Sequence, residues 1–257
     1  MRDKSEWNQK FCIVTGAASG IGETTFRMLL DLGASVLGLD RNEPREILKN
    51  KKFKAQAHFR KCDLSDPDQI LDVFEEFKDS ELKALFNVAA LPSNGLSISN
   101  LSVQEWDQIL NVNLRAVFLT SKYSLPLFKN NNGGCIVNVS SVHAFASMRN
   151  HSAYAASKGG VNSLTAQLAL ELNPLNIRVV GVAPGSIKTP MTTKDFENDK
   201  LQLEKLGFPT DGLGIGHVGE PDEIAEVLLW SASSAASFVN GTVITADAGL
   251  LARLTFE

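Results

Sequence analysis

The sequence predicts an α/β protein: a doubly wound parallel sheet with helices on both faces. Three observations predict it. Short apolar runs alternate along the chain with longer segments whose apolar residues recur at helical spacing. The first run leads into a glycine-rich turn that opens a helix. The second ends in an acidic residue about 20 residues beyond that turn. Strands that alternate with helices pair in parallel, because each crossover helix brings the chain back to the same end of the sheet. The 257 residues contain no Pro/Gly/Ser-rich linker and no charge run, so one domain over 1–257 is expected.

Phe11-Cys-Ile-Val-Thr15 is the first strand, and Gly16-Ala-Ala-Ser19-Gly20-Ile21-Gly22 follows it directly. A helix continues through Phe26, Leu29 and Leu30 and stops at Gly33. Glycines let a backbone turn sharply and approach a pyrophosphate, while the helix start offers unpaired N–H groups and a positive dipole end. The spacing is Gly-x-x-x-Gly-x-Gly rather than the commoner Gly-x-Gly-x-x-Gly.

Ser35-Val-Leu-Gly-Leu39 is the second strand and ends at Asp40. A carboxylate there accepts hydrogen bonds from an adenosine ribose and repels a 2′-phosphate. Two unit charges about 4 Å apart interact by roughly 1–4 kcal/mol, enough to set a preference for NAD over NADP. Arg41 follows at once as a competing positive charge, whereas Ser19 in the turn brings none.

Residues 57–62 form a third strand leading to Asp63, which is either an adenine contact or a cap for the next helix in Asp63-Leu-Ser-Asp66. That helix carries Ile70, Val73, Phe74 and Phe77. Residues 82–90 read as a strand that passes Asn87 and ends in small residues, where a ligand can approach closely. Apolar residues from Trp106 to Leu125 mark a long, mostly buried helix containing Asn111 and Asn113. A buried amide needs a partner, so Asn113 is either a satisfied core group or a site residue.

Cys135-Ile-Val-Asn-Val139 reads as a buried strand with Ser141 just beyond its end. Tyr154-Ala-Ala-Ser-Lys158 opens a helix that continues through Val161, Leu164, Leu168 and Leu172. Residues four apart share a helix face, so phenol and ammonium point the same way. A free tyrosine has a pKa of about 10, and a cation beside it pulls that value toward neutral. Open α/β sheets place ligands at their strand ends, so Ser141, Tyr154 and Lys158 either converge on one crevice or, as the Tyr-x-x-x-Lys spacing alone would favour, Tyr154 and Lys158 stand by chance on an ordinary surface helix. Another buried strand, 177–182, breaks at Ala183-Pro184-Gly185. Residues from about 186 to 217 lose the pattern, with Gly207, Pro209, Gly212, Gly214 and Gly216, and are expected to form a lid. A helix over 220–230 and a strand over 241–246 close the chain.

Composition removes several functions. The formal charge of −4 offers no basic face for nucleic acid. Cys12, Cys62 and Cys135 are odd in number, as buried free thiols of a reducing compartment would be, and the four histidines show no metal-ligand spacing. The polar start, residues 1–8, lacks the apolar core of a signal peptide, and no run approaches the roughly 20 residues of a membrane span. A cytoplasmic protein without membrane or metal is expected.

Taken as an ordered set, these motifs resemble the short-chain dehydrogenase/reductase family in its shorter form, from Lys10 to about Gly249. The resemblance implies a Rossmann-type fold and NAD-dependent hydride transfer at a secondary alcohol or ketone. Thr15-Gly-Ala-Ala-Ser-Gly-Ile-Gly22 is similar to the family's cofactor turn, Asp40 to its NAD selector, and Asp63-Leu64 to its adenine contact. Asn113, Ser141, Tyr154 and Lys158 match the family's catalytic set. Tyr154 is implied as acid–base, Lys158 as its cation and a ribose contact, Ser141 as a donor to the substrate oxygen, and Asn113 as anchor of a proton relay. Pro184, Gly185, Ile187 and Thr189 resemble the segment that meets the nicotinamide. The family's Asn-Asn-Ala-Gly stands here as Asn87-Val-Ala89-Ala90 and its Asp-Gly-Gly as Asp247-Ala-Gly249. The segment between Ser141 and Tyr154 is expected to wall the substrate side, where His143, Arg149, Asn150 and His151 are either solvent-exposed loop residues or the mark of a sugar, polyol or small hydroxy acid substrate. A carbonyl reductase preferring NADP and a non-catalytic dinucleotide sensor are the competing readings; a sensor would be expected to lack the tyrosine or the lysine. Small residues around Gly159-Gly160 and the apolar helix after Trp106 suggest a homotetramer.

Overall fold

The computed structural model describes residues 4–192 and 217–252. Seven parallel strands form one sheet in the order β3-β2-β1-β4-β5-β6-β7. They are β1 Phe11–Thr15, β2 Ser35–Asp40, β3 Ala57–Lys61, β4 Leu82–Asn87, β5 Gly134–Val139, β6 Ile177–Pro184 and β7 Val243–Ala246. The order reverses between β1 and β4, the point at which sheets of this kind bind ligands.

Alternate residues of each strand feed two separate cores. Val14, Phe86 and Val137 face one side, where they meet Phe26 and Leu29 of α2 (Gly20–Asp31) and Leu228 and Leu229 of a later helix, Pro221–Ala232. Ile13, Leu85 and Ile136 face the other, against Ile70 and Phe74 of α4 (Pro67–Glu76), Leu119 of α6 (Ala116–Tyr123), Phe128 of α7 (Leu125–Asn130), and Ala169 and Leu172 of α8 (Ser152–Leu172). Each large apolar side chain so buried contributes about 1.5–3 kcal/mol of transfer free energy.

The structure differs from the sequence expectation in three respects. The strand expected to run to residue 90 ends at Asn87, and 88–90 continue as loop beyond its C-terminal end. The single long helix after Trp106 is α5 (Val103–Leu110), a π turn over Asn111–Arg115, then α6 and α7. A capping box between Ser102 and Glu105 starts α5, and Pro126 lies in the first turn of α7. A short helix, α1 (Lys4–Trp7), precedes β1, and its Trp7 is buried 6.4 Å from the Phe86 ring; another short helix, α3 (Arg45–Lys49), lies between β2 and β3. Residues 193–216, most of the expected lid, lie outside the described residues.

No helix among the described residues is long and apolar enough to cross a membrane. No group of metal-ligating side chains gathers among them either.

Candidate active site

The glycine turn forms because nothing larger fits it. Gly16 has φ +70° and Gly20 φ +54°, left-handed conformations that disfavour a side chain. A Cβ at Gly22 would stand 2.0 Å from the carbonyl oxygen of Gly16, and one at Gly16 would stand 2.9 Å from the Ala89 backbone. The turn is thus drawn tight against the loop after β4. Thr15 holds that loop from below: its hydroxyl accepts from the amides of Val88, at 3.0 Å, and Ala89, at 3.2 Å. No side chain caps the start of α2 at Ser19, so its first N–H groups are available to an anion.

A single cleft runs along this turn. Gly16, Ser19, Gly20, Ile21 and Gly22 line one side, and Asp40, Arg41, Asp63 and Leu64 the end beyond β2. Ala89 and Thr189 complete the set of expected cofactor residues found there. A cradle of glycines, an uncapped helix start and a carboxylate at the end of β2 fit a nicotinamide dinucleotide.

Asp40 has a second task. Its carboxylate accepts from Ala18 N at 3.1 Å and Asn42 N at 2.9 Å, which fastens the glycine turn to the end of β2. Asp63 likewise accepts from the backbone N–H and hydroxyl of Ser65, at 2.9 and 2.8 Å, while Asp66 is the actual N-cap of α4.

The other expected residues of this group lie elsewhere. Asn87 is buried in the core, where it donates to Asn138 Oδ1 at 2.9 Å and accepts from the Thr120 hydroxyl at 2.8 Å. Pro184 ends β6, Gly185 packs on the Asp247 backbone, and Ile187 is buried beside Gly219. Of their segment only Thr189 reaches the cleft, together with Pro190 and Met191.

Ser141, Tyr154 and Lys158 do come together. Ser141 follows β5 and is buried; its hydroxyl accepts from His143 N at 3.2 Å, and it acts on the Tyr154 phenol to lower that group's pKa. Lys158 lies one helical turn beyond Tyr154, with its ammonium 5.7 Å from the centre of the tyrosine ring. It is 2% exposed and donates to Val139 O at 2.8 Å. Burial pulls its pKa down to about 8. The Tyr154 phenol departs from the sequence expectation. Burial raises its pKa, and the Ser141 hydrogen bond offsets this only in part. Burial is the physical cause, and the Lys158 ammonium is hydrogen-bonded to the Val139 carbonyl.

Asn113 sits in the π turn, fully buried. Its Oδ1 accepts from Leu91 N at 2.7 Å, and its Nδ2 donates to Leu91 O at 3.0 Å and Ser157 Oγ at 3.2 Å. Ser157 in turn donates to Tyr154 O at 2.7 Å. One buried chain therefore ties the loop after β4 to the first turns of α8.

On the segment between Ser141 and Tyr154, the rings of His143 and His151 stack with centres 4.7 Å apart. His143 also meets Tyr154 edge-on at 5.6 Å. Burial, aided by His151, pulls the pKa of His143 down to about 4. Arg149, Phe145 and Met148 are exposed on the same segment. Sequence reasoning named neither Thr15, Asn138 nor Ser157 as a positioning group. Their only sequence signal was a polar residue inside an otherwise apolar or small-residue run.

The chain matches the short chain dehydrogenase family over residues 10–200. It is 36% identical over 249 residues to 3-oxoacyl-[acyl-carrier-protein] reductase FabG of Thermotoga maritima, covering 94% of this chain and 98% of the relative. Among solved structures it is similar to aldohexose dehydrogenase of Thermoplasma acidophilum, with a TM-score of 0.86, 32% identity and 98% coverage of both chains. A 4-hydroxyisoleucine dehydrogenase solved with NADH superposes with a TM-score of 0.86 at 28% identity, covering 95% of this chain and 100% of that one. Other solved neighbours at 28% identity hold NADP.

Proposed function

The chain belongs to the short-chain dehydrogenase family, oxidoreductases that act on CH–OH groups with NAD or NADP; on that premise we propose that this one uses NAD. Its substrate is a small polar secondary alcohol, or the matching ketone, of the sugar, polyol or hydroxy-acid type. The observation that carries the reading is the convergence of Ser141, Tyr154 and Lys158 beyond the end of β5.

In this reading the glycine turn and the start of α2 hold the pyrophosphate, and Asp40 receives the adenosine ribose. A nicotinamide bound there would supply the hydride acceptor for the carbinol carbon. Tyr154 accepts the hydroxyl proton as that hydride departs, and returns it to the oxygen in the reverse direction. Ser141 donates to the same substrate oxygen, its own oxygen being oriented by the His143 N–H. Lys158 supplies the positive charge nearby, and Asn113 keeps Leu91 and α8 in register around the site. His143, Arg149, Asn150 and His151 on the segment after β5 support a hydroxylated substrate.

Asp40 favours NAD because two backbone amides hold its carboxylate at the end of β2, where a 2′-phosphate would meet its charge. Three buried free thiols, Cys12, Cys62 and Cys135, suit a reducing compartment, and the cytoplasm is the proposed location. The proposed assembly of this single domain is a homotetramer. Gly160 is accounted for inside the chain, since a Cβ there would meet Leu114 at 2.7 Å. Gly159 faces open space, while Phe118 of α6 and Leu170 of α8 are exposed, as a subunit contact through these helices requires. Sedimentation equilibrium at micromolar protein tests the assembly; a lone monomer rules it out.

The activity test follows reduced-nicotinamide absorbance with NAD and with NADP over aldoses, polyols, 2-hydroxy acids and cyclic alcohols. Turnover of a polar alcohol with NAD is expected. Turnover confined to cyclic alcohols, or to NADP, overturns the substrate or cofactor assignment respectively.

A further inference from the structure

Between Ser141 and Tyr154 the chain stacks two imidazoles that the reaction itself does not require. The ring planes of His143 and His151 are 7° from parallel with centres 4.7 Å apart, and His143 meets the Tyr154 ring at 87° and 5.6 Å. We infer that His143, braced by His151, is a positioning residue that fixes the orientation of the Tyr154 ring. The inference rests on the reading of Tyr154 as the acid–base group.

The stack is held at each member. His143 Nδ1 is 3.0 Å from the Ser147 hydroxyl. His151 Nδ1 lies 2.8 Å from Arg149 O, and because a carbonyl only accepts, that nitrogen carries the proton. His151 is also the residue before α8, and its carbonyl accepts from Ala155 N at 2.8 Å, so the brace is built into the start of the helix that carries Tyr154. The backbone of the same His143 donates to Ser141 Oγ. One residue therefore touches both the phenol ring and the neighbouring hydroxyl.

The phenol needs this support. The edge of His143 against the Tyr154 ring restrains the ring's tilt, since tilted rings attract through their quadrupoles. Proton transfer demands alignment within a fraction of an ångström, and a misplacement of about 1 Å costs about a hundredfold in rate. Burial keeps His143 neutral at ordinary pH, so charge does not disturb the stack there.

Four variants decide the matter: His143→Ala, His143→Phe, His151→Ala and Tyr154→Phe. Each is assayed for kcat and KM with saturating cofactor, with thermal unfolding and NADH fluorescence as controls of folding and cofactor binding. His143→Ala is expected to lower kcat by about tenfold to a hundredfold while KM moves less than about threefold. His143→Phe restores most of kcat because it keeps a ring edge without ring nitrogens, and His151→Ala shows a smaller loss in kcat. A rise in KM alone for His143→Ala, or a His143→Phe as slow as the alanine variant, overturns the inference and makes the imidazole a substrate contact. Should His143→Ala fail to fold, the phenylalanine variant and His151→Ala decide by the same criteria. Tyr154→Phe separates the two levels: if it keeps its rate, the acid–base reading falls and the inference with it. If it is inactive while His143→Phe is also slow, the positioning role alone fails.

Discussion

Lys158 donates its ammonium proton to the carbonyl oxygen of Val139 at 2.8 Å, with both residues buried. The last residue of β5 thereby anchors the cation of α8 beside Tyr154. This contact orients the ammonium in a site where burial alone holds its pKa near 8. Losing the lysine removes this bond and a buried positive charge beside the tyrosine ring.

Tyr154→Phe is expected to reduce kcat by about 10²–10⁴-fold, the usual contribution of general acid–base catalysis, with NADH affinity almost unchanged. Lys158→Met should lose both turnover and cofactor affinity, because one side chain serves the phenol and the proposed ribose contact. Steady-state kinetics and fluorescence titration measure the two quantities. A Tyr154→Phe variant keeping most of its kcat removes the assignment.

The two reaction directions should respond oppositely to pH. Alcohol oxidation needs the phenolate, and burial places the Tyr154 pKa above its ordinary value. The reactive fraction therefore grows as pH rises, so kcat/KM for oxidation should climb from about pH 7 to about pH 9. Ketone reduction uses the protonated phenol and should be flat or falling over the same span. An oxidation profile independent of pH would contradict the role given to Tyr154.

Asp40→Ser should raise the ratio of kcat/KM with NADP to that with NAD. It should also weaken binding of both cofactors, since the carboxylate holds the amides of Ala18 and Asn42 as well as facing the cleft. An unchanged NADP:NAD ratio would show that the exposed Arg41, rather than Asp40, sets the preference.

Ala248→Gly should stabilise the fold. Ala248 has φ +51°, where a side chain costs about 1–2 kcal/mol, and Asp247 on the preceding turn pins the segment by accepting from Gly249 N and Leu251 N. A gain of about 1 kcal/mol should raise Tm by about 2–4 °C. A lower Tm for the glycine variant would mean that the alanine methyl contributes packing greater than its backbone strain.

Acid should weaken the protein through His143. Its pKa in the folded chain is about 4 against a usual 6.5, so the unfolded chain binds more protons between those values. This residue's contribution is thus to lower stability progressively as pH falls from 6.5 to 4, with no effect above. In His143→Phe the midpoint of urea unfolding should depend less on pH across that window; an identical slope would refute the assignment.

The alternating elements were legible in the sequence because they follow from local rules. Apolar residues at strand or helix period mark a core face whatever lies opposite, and Gly16, Gly20 and Gly22 are imposed by the shape of their own turn. Asp40, Ser141, Tyr154 and Lys158 were readable for the same reason: each stands at a strand end or at a fixed helical spacing. The partners of their polar groups were not. Asn87 points to Asn138 and Thr120, 51 and 33 residues away, and Asn113 to Leu91 and Ser157. The π turn that carries Asn113, the pairing of Lys158 with Val139 and the stack on Tyr154 likewise arise only once α5, α8, the loop after β4 and β5 are packed together. A periodic pattern tells which side of an element is buried. The direction of a buried donor is decided by whichever acceptor the tertiary fold brings within about 3 Å, because in the interior no water remains to take its place.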